Sequence, residues 1–210
     1  METLDFIHRF EKGRPEERPL LLLHGTGGDE NDLIPLARTI APTASLLSPR
    51  GKVLENGMPR FFQRLAEGVF DEDDVRRRAN QLADFVTNAR ARYDMAPPIA
   101  LGYSNGANIA AAVLLVRPSE LAGAILLRAM PPLAHPEPIK LDGVPVLIAS
   151  GARDPIIQPE SAAKLASLLE CYGAAVDHRV LPVGHELSQA DIRLGQSWWN
   201  KQARCPLSGE

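Results

Sequence analysis

The chain has 210 residues and a formal net charge of −3, with 45% apolar and 23% charged residues, which is ordinary for a globular protein. This length predicts one domain over residues 1–210, and the slightly acidic balance argues against a nucleic-acid-binding protein, which usually carries a basic patch. The N-terminus lacks the apolar run of a signal peptide, and the strongly apolar stretch 109–116 is far shorter than the roughly 20 residues that span a bilayer. We therefore expect a soluble, cytoplasmic protein with no stable membrane insertion.

The first quarter of the chain contains three short apolar runs and one helical pattern. Residues 4–10 predict a first strand, and the uniformly apolar run 20–23 predicts a strand that is buried on both faces. Residues 29–40 carry their apolar positions on one face and predict a helix with Asp29 as its N-cap. Residues 44–48 predict the next strand. Because too few residues join the first two strands for a crossover helix, we expect those two strands to be antiparallel.

The middle of the chain begins with a long segment, residues 51–74, that shows no clear period and contains several glycines and phenylalanines. A segment of this length without regular structure is often functional. Residues 75–93 predict a long amphipathic helix, and residues 98–102 predict a strand. The almost wholly apolar run 105–116 predicts a helix that is buried.

The remaining residues continue the alternation of strand and helix. Strands are predicted at 123–128, 145–150 and 175–181, and helices at 159–172 and 188–203. The whole pattern predicts an α/β protein with a doubly wound, mostly parallel sheet of seven strands, an antiparallel N-terminal strand and helices on both faces. No helical domain is inserted between the fifth and sixth strands, so we expect no large cap.

A G-x-S-x-G motif at residues 102–106 lies between a predicted strand and a predicted helix. A tight, strained turn at this place needs residues without bulky Cβ groups, and it lifts the hydroxyl of Ser104 out of the sheet. The backbone N–H of Asn105, at the helix N-terminus, is a natural donor to an oxyanion. The alternative is a glycine-rich turn whose serine is buried or caps the helix.

Two further polar residues follow predicted strands, in the order Ser, Asp, His that α/β hydrolases use. Asp154 could equally form an Asx turn before its proline, and His185 could be a solvated loop residue. Together with Ser104 they form a candidate triad in which His185 takes the serine proton and Asp154 fixes the imidazole tautomer. Asp177, inside the last predicted strand, and Asp191, on the last predicted helix, are the less favoured acids.

The glycine-rich loop 24–28 follows the second predicted strand and leads into a helix. It could hold a phosphate at the helix N-terminus, but no P-loop lysine follows it and its spacing is not G-x-G-x-x-G. The loop is better interpreted as the second half of an oxyanion hole, with the backbone N–H of Thr26 as donor. We expect His24 to be structural and to bond within this loop.

Apolar side chains that could bind a substrate lie in two loops that leave carboxyl ends of strands. The segment 51–74 supplies Phe61 and Phe62, and the loop after the fifth strand supplies Met130 and Leu133. Both loops should fall beside Ser104. The alternative is that some of these side chains only fill the core.

Taken together, the motifs HGTGGDENDL, GYSNG, GARDPIIQP and PVGHEL resemble the phospholipase/carboxylesterase family of small α/β hydrolases. The resemblance extends from about residue 20 to residue 187. It implies the α/β-hydrolase fold, with Ser104 as nucleophile, Asp154 as acid, His185 as base and the backbone of Thr26 and Asn105 as oxyanion donors. It also implies a protein without a cofactor or metal, and a homodimer as one expected state, because some family members are homodimers.

Two features place the chain nearer the bacterial carboxylesterases than the acyl-protein thioesterases. Thr26 stands where the eukaryotic thioesterase branch typically has leucine, and the segment GMPRFF at 57–62 looks like the bacterial branch. We therefore expect a serine carboxylesterase that cleaves small-molecule esters of short to medium acyl chains through an acyl-enzyme. A thioesterase or lysophospholipase with the same triad, peptide or lactone cleavage, and a non-enzymatic binding module remain alternatives.

Overall fold

The computed structural model describes residues 4–203, and at its centre is a seven-stranded β-sheet. The strands, in chain order, are β1 (His8–Glu11), β2 (Leu20–Leu23), β3 (Leu46–Pro49), β4 (Val53–Glu55), β5 (Met58–Arg60), β6 (Arg64–Ala66), β7 (Val69–Phe70), β8 (Ile99–Tyr103), β9 (Gly123–Leu127), β10 (Pro145–Gly151) and β11 (Ala175–Leu181). The α-helices are α1 (Ile34–Ile40), α2 (Glu72–Tyr93), α3 (Asn105–Val116), α4 (Pro159–Cys171) and α5 (Gln189–Gln202).

The central sheet has the strand order β1-β3-β2-β8-β9-β10-β11, and all of its pairings are parallel except that of β1. The predicted seven-stranded, mostly parallel sheet with an antiparallel first strand is confirmed. The predicted partner of the first strand is wrong, because β1 pairs with β3 rather than β2. Since β2 already has β3 on one side and β8 on the other, β1 can join the sheet only at its outer edge.

The core forms two layers, one on each face of the sheet. Leu21 and Leu23 of β2 pack in the layer covered by α2, α3 and α4. Leu20 and Leu22 pack in the other layer, under α1 and α5. Successive side chains of a strand point to opposite faces, so a run of four leucines suits a strand that is covered on both sides. Helix α3 is buried over almost its whole length, as its apolar sequence predicts.

The segment 51–74 differs from its prediction, because it forms two small hairpins and the start of α2. β4 pairs with β5, and β6 pairs with β7. Asn56 and Gly57, which connect β4 to β5, both have positive φ, as a tight hairpin turn requires. Helix α2 begins at Glu72 because the side chain of Asp71 caps it by accepting from the N–H of Asp74.

The start of the first helix also differs from its prediction. Helix α1 begins at Ile34, and Asp29 is not its N-cap. Asp29 instead accepts a hydrogen bond of 2.8 Å from the N–H of Asn31, which makes a local turn. Asp29 therefore stabilises the loop that follows β2 and not the helix itself.

No helix within residues 4–203 has both the length and the apolar character needed to cross a membrane. Between β9 and β10, the described chain contains no helix, so no cap domain lies over that edge of the sheet.

Leu22→Ala should lower the free energy of unfolding by about 2–5 kcal/mol, because the fully buried side chain leaves a cavity between the sheet and its helices. Leu65→Ala is the matched control, since that side chain is 72% exposed on β6 and its loss should change stability by less than about 0.5 kcal/mol. Urea unfolding measures both variants. Equal losses would contradict the assignment of Leu22 to the core.

Candidate active site

Three polar side chains meet at the carboxyl edge of the sheet. Strands β8 to β11 run parallel, so their carboxyl ends lie along one edge. Ser104 directly follows β8, Asp154 follows β10, and His185 follows β11. The Nε2 atom of His185 lies 3.1 Å from Ser104 Oγ, and its Nδ1 atom lies 2.8 Å from Asp154 Oδ2. The structure therefore brings together the three residues that the sequence motifs single out.

Ser104 sits on a strained turn between β8 and α3. Its backbone has φ 51° and ψ −115°, a conformation that residues other than glycine rarely adopt. A Cβ on Gly106 would lie 1.9 Å from the carbonyl oxygen of Leu23, and a Cβ on Gly102 would lie 2.6 Å from Cα of Ala107. Both obstacles are backbone atoms. The two glycines of the motif are thus required because the first turn of α3 packs directly against the ends of β2 and β8.

The carboxylate of Asp154 is buried and has one oxygen available to the imidazole. Its Oδ1 atom accepts hydrogen bonds from the N–H groups of Ile156 and Ile157, at 2.8 and 2.9 Å. Its Oδ2 atom accepts from Nδ1–H of His185. A carboxylate can only accept, so His185 carries its proton on Nδ1 and presents the lone pair of Nε2 to Ser104.

The two other aspartates considered from the sequence do not contact His185. Asp177 lies within β11 and pairs with Arg179 at 2.6 Å on the surface. Asp191 is buried on α5 and pairs with Arg128. Among residues 4–203, no group of three or more His, Cys, Asp or Glu side chains is placed to hold a metal ion.

Two backbone N–H groups near Ser104 have no acceptor among the described residues: those of Thr26 and Asn105. Asn105 is the first residue of the 12-residue helix α3, where the N–H has no partner within the helix. Thr26 lies in the loop after β2, and its neighbour Gly27 is held by a 3.0 Å bond to the carbonyl of Pro59. Both N–H groups are therefore able to donate to a bound oxygen.

His24 bonds within the glycine-rich loop, as expected, and also to the segment that follows β3. Its Nδ1 atom lies 2.6 Å from the carbonyl oxygen of Gly25, and its Nε2 atom accepts from the N–H of Gly51 at 3.0 Å. Burial lowers the pKa of His24, so the imidazole is neutral and can donate from one nitrogen while it accepts at the other. His24 is a structural residue of the loop.

Three of the four apolar residues expected to bind a substrate are core residues. Phe61, Phe62 and Leu133 are at most 3% exposed and pack in the layer that contains α2 and α3. The ring of Phe62 packs edge-on against that of Phe70, with centroids 4.9 Å apart. Met130 alone of the four is partly exposed. The alternative, that such side chains fill the core, holds for the other three: Phe61 and Phe62 in the connection between the two hairpins, and Leu133 in the loop after β9.

Tyr103 is a functional candidate that the sequence reasoning missed. Its hydroxyl donates a 3.1 Å hydrogen bond to the carbonyl of His185, and its ring lies against the imidazole with centroids 5.4 Å apart. Burial raises the pKa of the Tyr103 hydroxyl, which keeps it a donor. It occupies a variable position of the G-x-S-x-G motif, and the motif carries no signal for it.

Two buried asparagines of α3 hold the loops that surround the site. The Oδ1 atom of Asn105 accepts from the N–H of Phe61 at 2.8 Å, and that of Asn108 accepts from the N–H of Met130 at 2.9 Å. Both were missed, although two asparagines in a helix that is otherwise almost wholly apolar are a usable signal, since buried amides need partners.

Comparison with known proteins identifies the family of the chain. The model of the phospholipase/carboxylesterase family matches residues 8–200. The chain is similar to MhqD of Bacillus subtilis (strain 168), which is named as a hydrolase, with 44% identity over 196 residues that cover 92% of this chain and 98% of MhqD.

Two solved carboxylesterases have similar structures. That of Bacillus cereus superposes with a TM-score of 0.90 and 44% identity, over 92% of this chain and 93% of its own. That of Mesorhizobium loti superposes with a TM-score of 0.84 and 37% identity, over 87% and 88% of the two chains. The sheet described above is thus that of an α/β hydrolase, and the chain belongs to the phospholipase/carboxylesterase family of hydrolases.

Proposed function

We propose that the protein is a serine carboxylesterase that cleaves carboxylic esters of short to medium acyl chains. The observation that carries this proposal is the hydrogen-bonded series Ser104–His185–Asp154, which lies beside the free N–H groups of Thr26 and Asn105. A nucleophile, a base, an orienting carboxylate and two oxyanion donors are the groups that acyl transfer needs. The resemblance to two carboxylesterases supports ester substrates.

In the first half of the reaction, Ser104 Oγ attacks the ester carbonyl while His185 Nε2 takes its proton. The N–H groups of Thr26 and Asn105 donate to the oxyanion of the tetrahedral intermediate. The C–O bond to the alcohol then breaks, and the imidazolium gives its proton to the departing oxygen. The product of this half is an acyl-enzyme on Ser104 and a free alcohol.

In the second half, water attacks the acyl carbon and His185 takes a proton from it. The tetrahedral intermediate collapses, Ser104 leaves with that proton, and the carboxylic acid is released. Asp154 orients the imidazole and stabilises the imidazolium in both halves. No step requires a cofactor.

We propose a preference for short to medium acyl chains because few residues of the protein lie over the carboxyl ends of the strands beside Ser104. The first hairpin lies against the loop that follows β2, and the loop that contains Met130 is bonded to α3. Met58 of β5 lies next to the oxyanion loop, since its Sδ atom is 3.6 Å from where a Cβ on Gly27 would be. Because the described chain has no helix between β9 and β10 that could form a lid, we expect this surface to bury only a few methylene groups.

Ser104→Ala should reduce kcat on the order of a millionfold, because only the oxyanion donors and binding then remain. It should also abolish labelling by a fluorophosphonate probe. Ser150→Ala is the control, since Ser150 is the other serine that bonds to a histidine, at 2.9 Å from Nε2 of His178, and it should keep both activity and labelling. More than a few per cent of the wild-type kcat in folded Ser104→Ala would refute the nucleophile.

Asp154→Asn should lower kcat roughly 10⁴-fold, because an amide at this place favours the wrong imidazole tautomer. Asp177→Asn makes the same chemical change in a surface ion pair and should alter kcat only slightly. Steady-state kinetics on p-nitrophenyl butyrate compares the two variants. Equal losses would show that Asp154 does not orient the base.

Within a series of p-nitrophenyl esters from acetate to palmitate, kcat/KM should rise over the first carbons and then fall. Each methylene that the site buries contributes about 0.8 kcal/mol until the available surface is covered. Detergent micelles should not activate the enzyme, because the site has no lid to open. A maximum at palmitate, or a jump in rate at the micelle threshold, would contradict this view of the cover.

A further inference from the structure

Arg128 is a buried arginine at the carboxyl end of β9, and all five of its N–H groups donate hydrogen bonds. Nε donates to the carbonyl of Gly184 at 2.9 Å, and Nη2 donates to that of Glu186 at 3.0 Å. Nη1 donates to the carbonyl of Ala149 at 3.2 Å. The two remaining donors bind the carboxylate of Asp191 at 2.7 and 2.9 Å. The side chain has no exposed surface.

Two of the acceptors are the carbonyl groups on either side of His185. The carbonyl of His185 itself accepts from the hydroxyl of Tyr103. Three consecutive carbonyls of the loop are therefore held by side chains from the ends of β8 and β9. Among the described residues, no hydrogen bond joins a main-chain group of residues 184–187 to another main-chain group. The position of this loop thus depends on these two side chains.

Asp191 holds the buried guanidinium in place with two hydrogen bonds. Although burial alone would raise its pKa, hydrogen bonds from Arg128 and Ser188 hold the pKa of Asp191 below its ordinary value. The carboxylate also accepts from the N–H and hydroxyl of Ser188, at 2.8 and 2.7 Å, and so caps helix α5. A fully buried pair of arginine and aspartate is held in one geometry when each donor and acceptor of the pair makes a hydrogen bond.

The backbone of Arg128 has an unfavourable conformation for a residue with a side chain. Its φ is 58°, in the left-handed region that costs a residue with a Cβ about 1–2 kcal/mol and glycine almost nothing. Arginine at this position therefore destabilises the folded backbone relative to glycine. Its hydrogen bonds offset that cost.

We propose that Arg128, together with Tyr103, is a positioning residue that holds the His185 loop so that the imidazole lies between Ser104 and Asp154. This inference rests on the proposed function, in which His185 is the general base and acid. Arg128 reaches His185 only through the main chain on both sides of it. Shifting a base by about 1 Å can cost roughly 100-fold in rate, so loss of these anchors should be visible in the chemistry.

The test is Arg128→Lys, measured with p-nitrophenyl butyrate and with ethyl butyrate. Lysine keeps the charge opposite Asp191, but its ammonium cannot bridge both carbonyls and the carboxylate. We expect kcat for the nitrophenyl ester to fall about 10- to 100-fold at similar KM. The loss for ethyl butyrate should be larger, because the ethoxide leaving group needs a proton from His185 and nitrophenolate does not.

The two esters separate positioning from mere stabilisation. A loss of folded protein lowers both rates by the same factor, whereas a displaced imidazole penalises the ethyl ester more. Arg90→Lys is the matched control, because Arg90 also pairs with a carboxylate, that of Glu120. Glu120 lies just before β9, at the amino ends of the strands and away from His185. Arg90→Lys should leave both rates unchanged. Equal losses on the two esters, or a folded Arg128→Lys within about twofold of wild type, would overturn the proposal.

If Arg128→Lys does not fold, the double variant Arg128→Met with Asp191→Asn takes its place. It buries no unpaired charge, and the asparagine oxygen can still accept from Ser188. Its expected loss shows the same difference between the two esters. A folded double variant with wild-type rates would overturn the proposal.

Nitrogen-15 NMR of the histidine side chains tests the same inference without a substrate, with His185→Gln used to assign the signal. In the wild type, His185 should be a pure Nδ1–H tautomer, and in Arg128→Lys a mixture. If the wild type cleaves no ester but this change occurs, the proposed function fails and the positioning role stands. If the wild type is active and the signal does not change, the positioning role fails alone.

Discussion

The close approach of the first turn of α3 to the end of β2 sets the geometry of the whole site. Gly106 lies so near the carbonyl of Leu23 that no side chain fits between them. With the helix held there, the chain can leave β8 only through a left-handed residue, and that residue is Ser104. The same approach puts the free N–H of Asn105 beside the loop that carries Thr26. One packing contact thereby fixes both the serine and the two N–H groups that we propose as its oxyanion donors.

Around this contact, buried polar side chains replace regular secondary structure as the means of fixing loops. His24 binds the N–H of Gly51, Asn105 binds that of Phe61, and Asn108 binds that of Met130. His24 directly follows β2, and the two asparagines lie in α3, the helix that follows Ser104. A buried N–H without a partner would cost about 1–3 kcal/mol, so each bond also stabilises the loop in one position. The loops around the site are thus held by single side-chain acceptors and not by regular secondary structure.

Much of this arrangement could be predicted from the sequence, and the successes share a cause. The bounds predicted for α3 and β11 agree with the structure, because each is a clear run with breakers at both ends. Ser104, Asp154 and His185 lie together in the structure because each follows a strand, and the ends of parallel strands lie together. Local sequence patterns predict an element correctly where its bounds are set by residues within and next to it.

The failures are long-range or lie in very short elements. The pairing of β1 with β3 depends on which sheet edge is free, which no local pattern records. The hairpin strands have only two or three residues each, too few to show an alternation, although Asn56-Gly57 was a usable turn signal. Arg128 was read as the end of an apolar strand, since its five acceptors come from distant parts of the chain.

The attachment of the two hairpins has a consequence for how this scaffold can diverge. The first hairpin is held by main-chain groups, namely the N–H of Gly51 and Phe61 and the carbonyl of Pro59, and the buried rings of Phe61 and Phe62 anchor the chain between the two hairpins. Their outward side chains carry no part of that attachment: Leu54, Met58, Leu65 and Val69, each 41–72% exposed. Point substitutions at these four positions can therefore change the outer surface of the hairpins while their frame stays in place. Proline at position 51 or 61, which lacks the N–H, is the change this design does not tolerate.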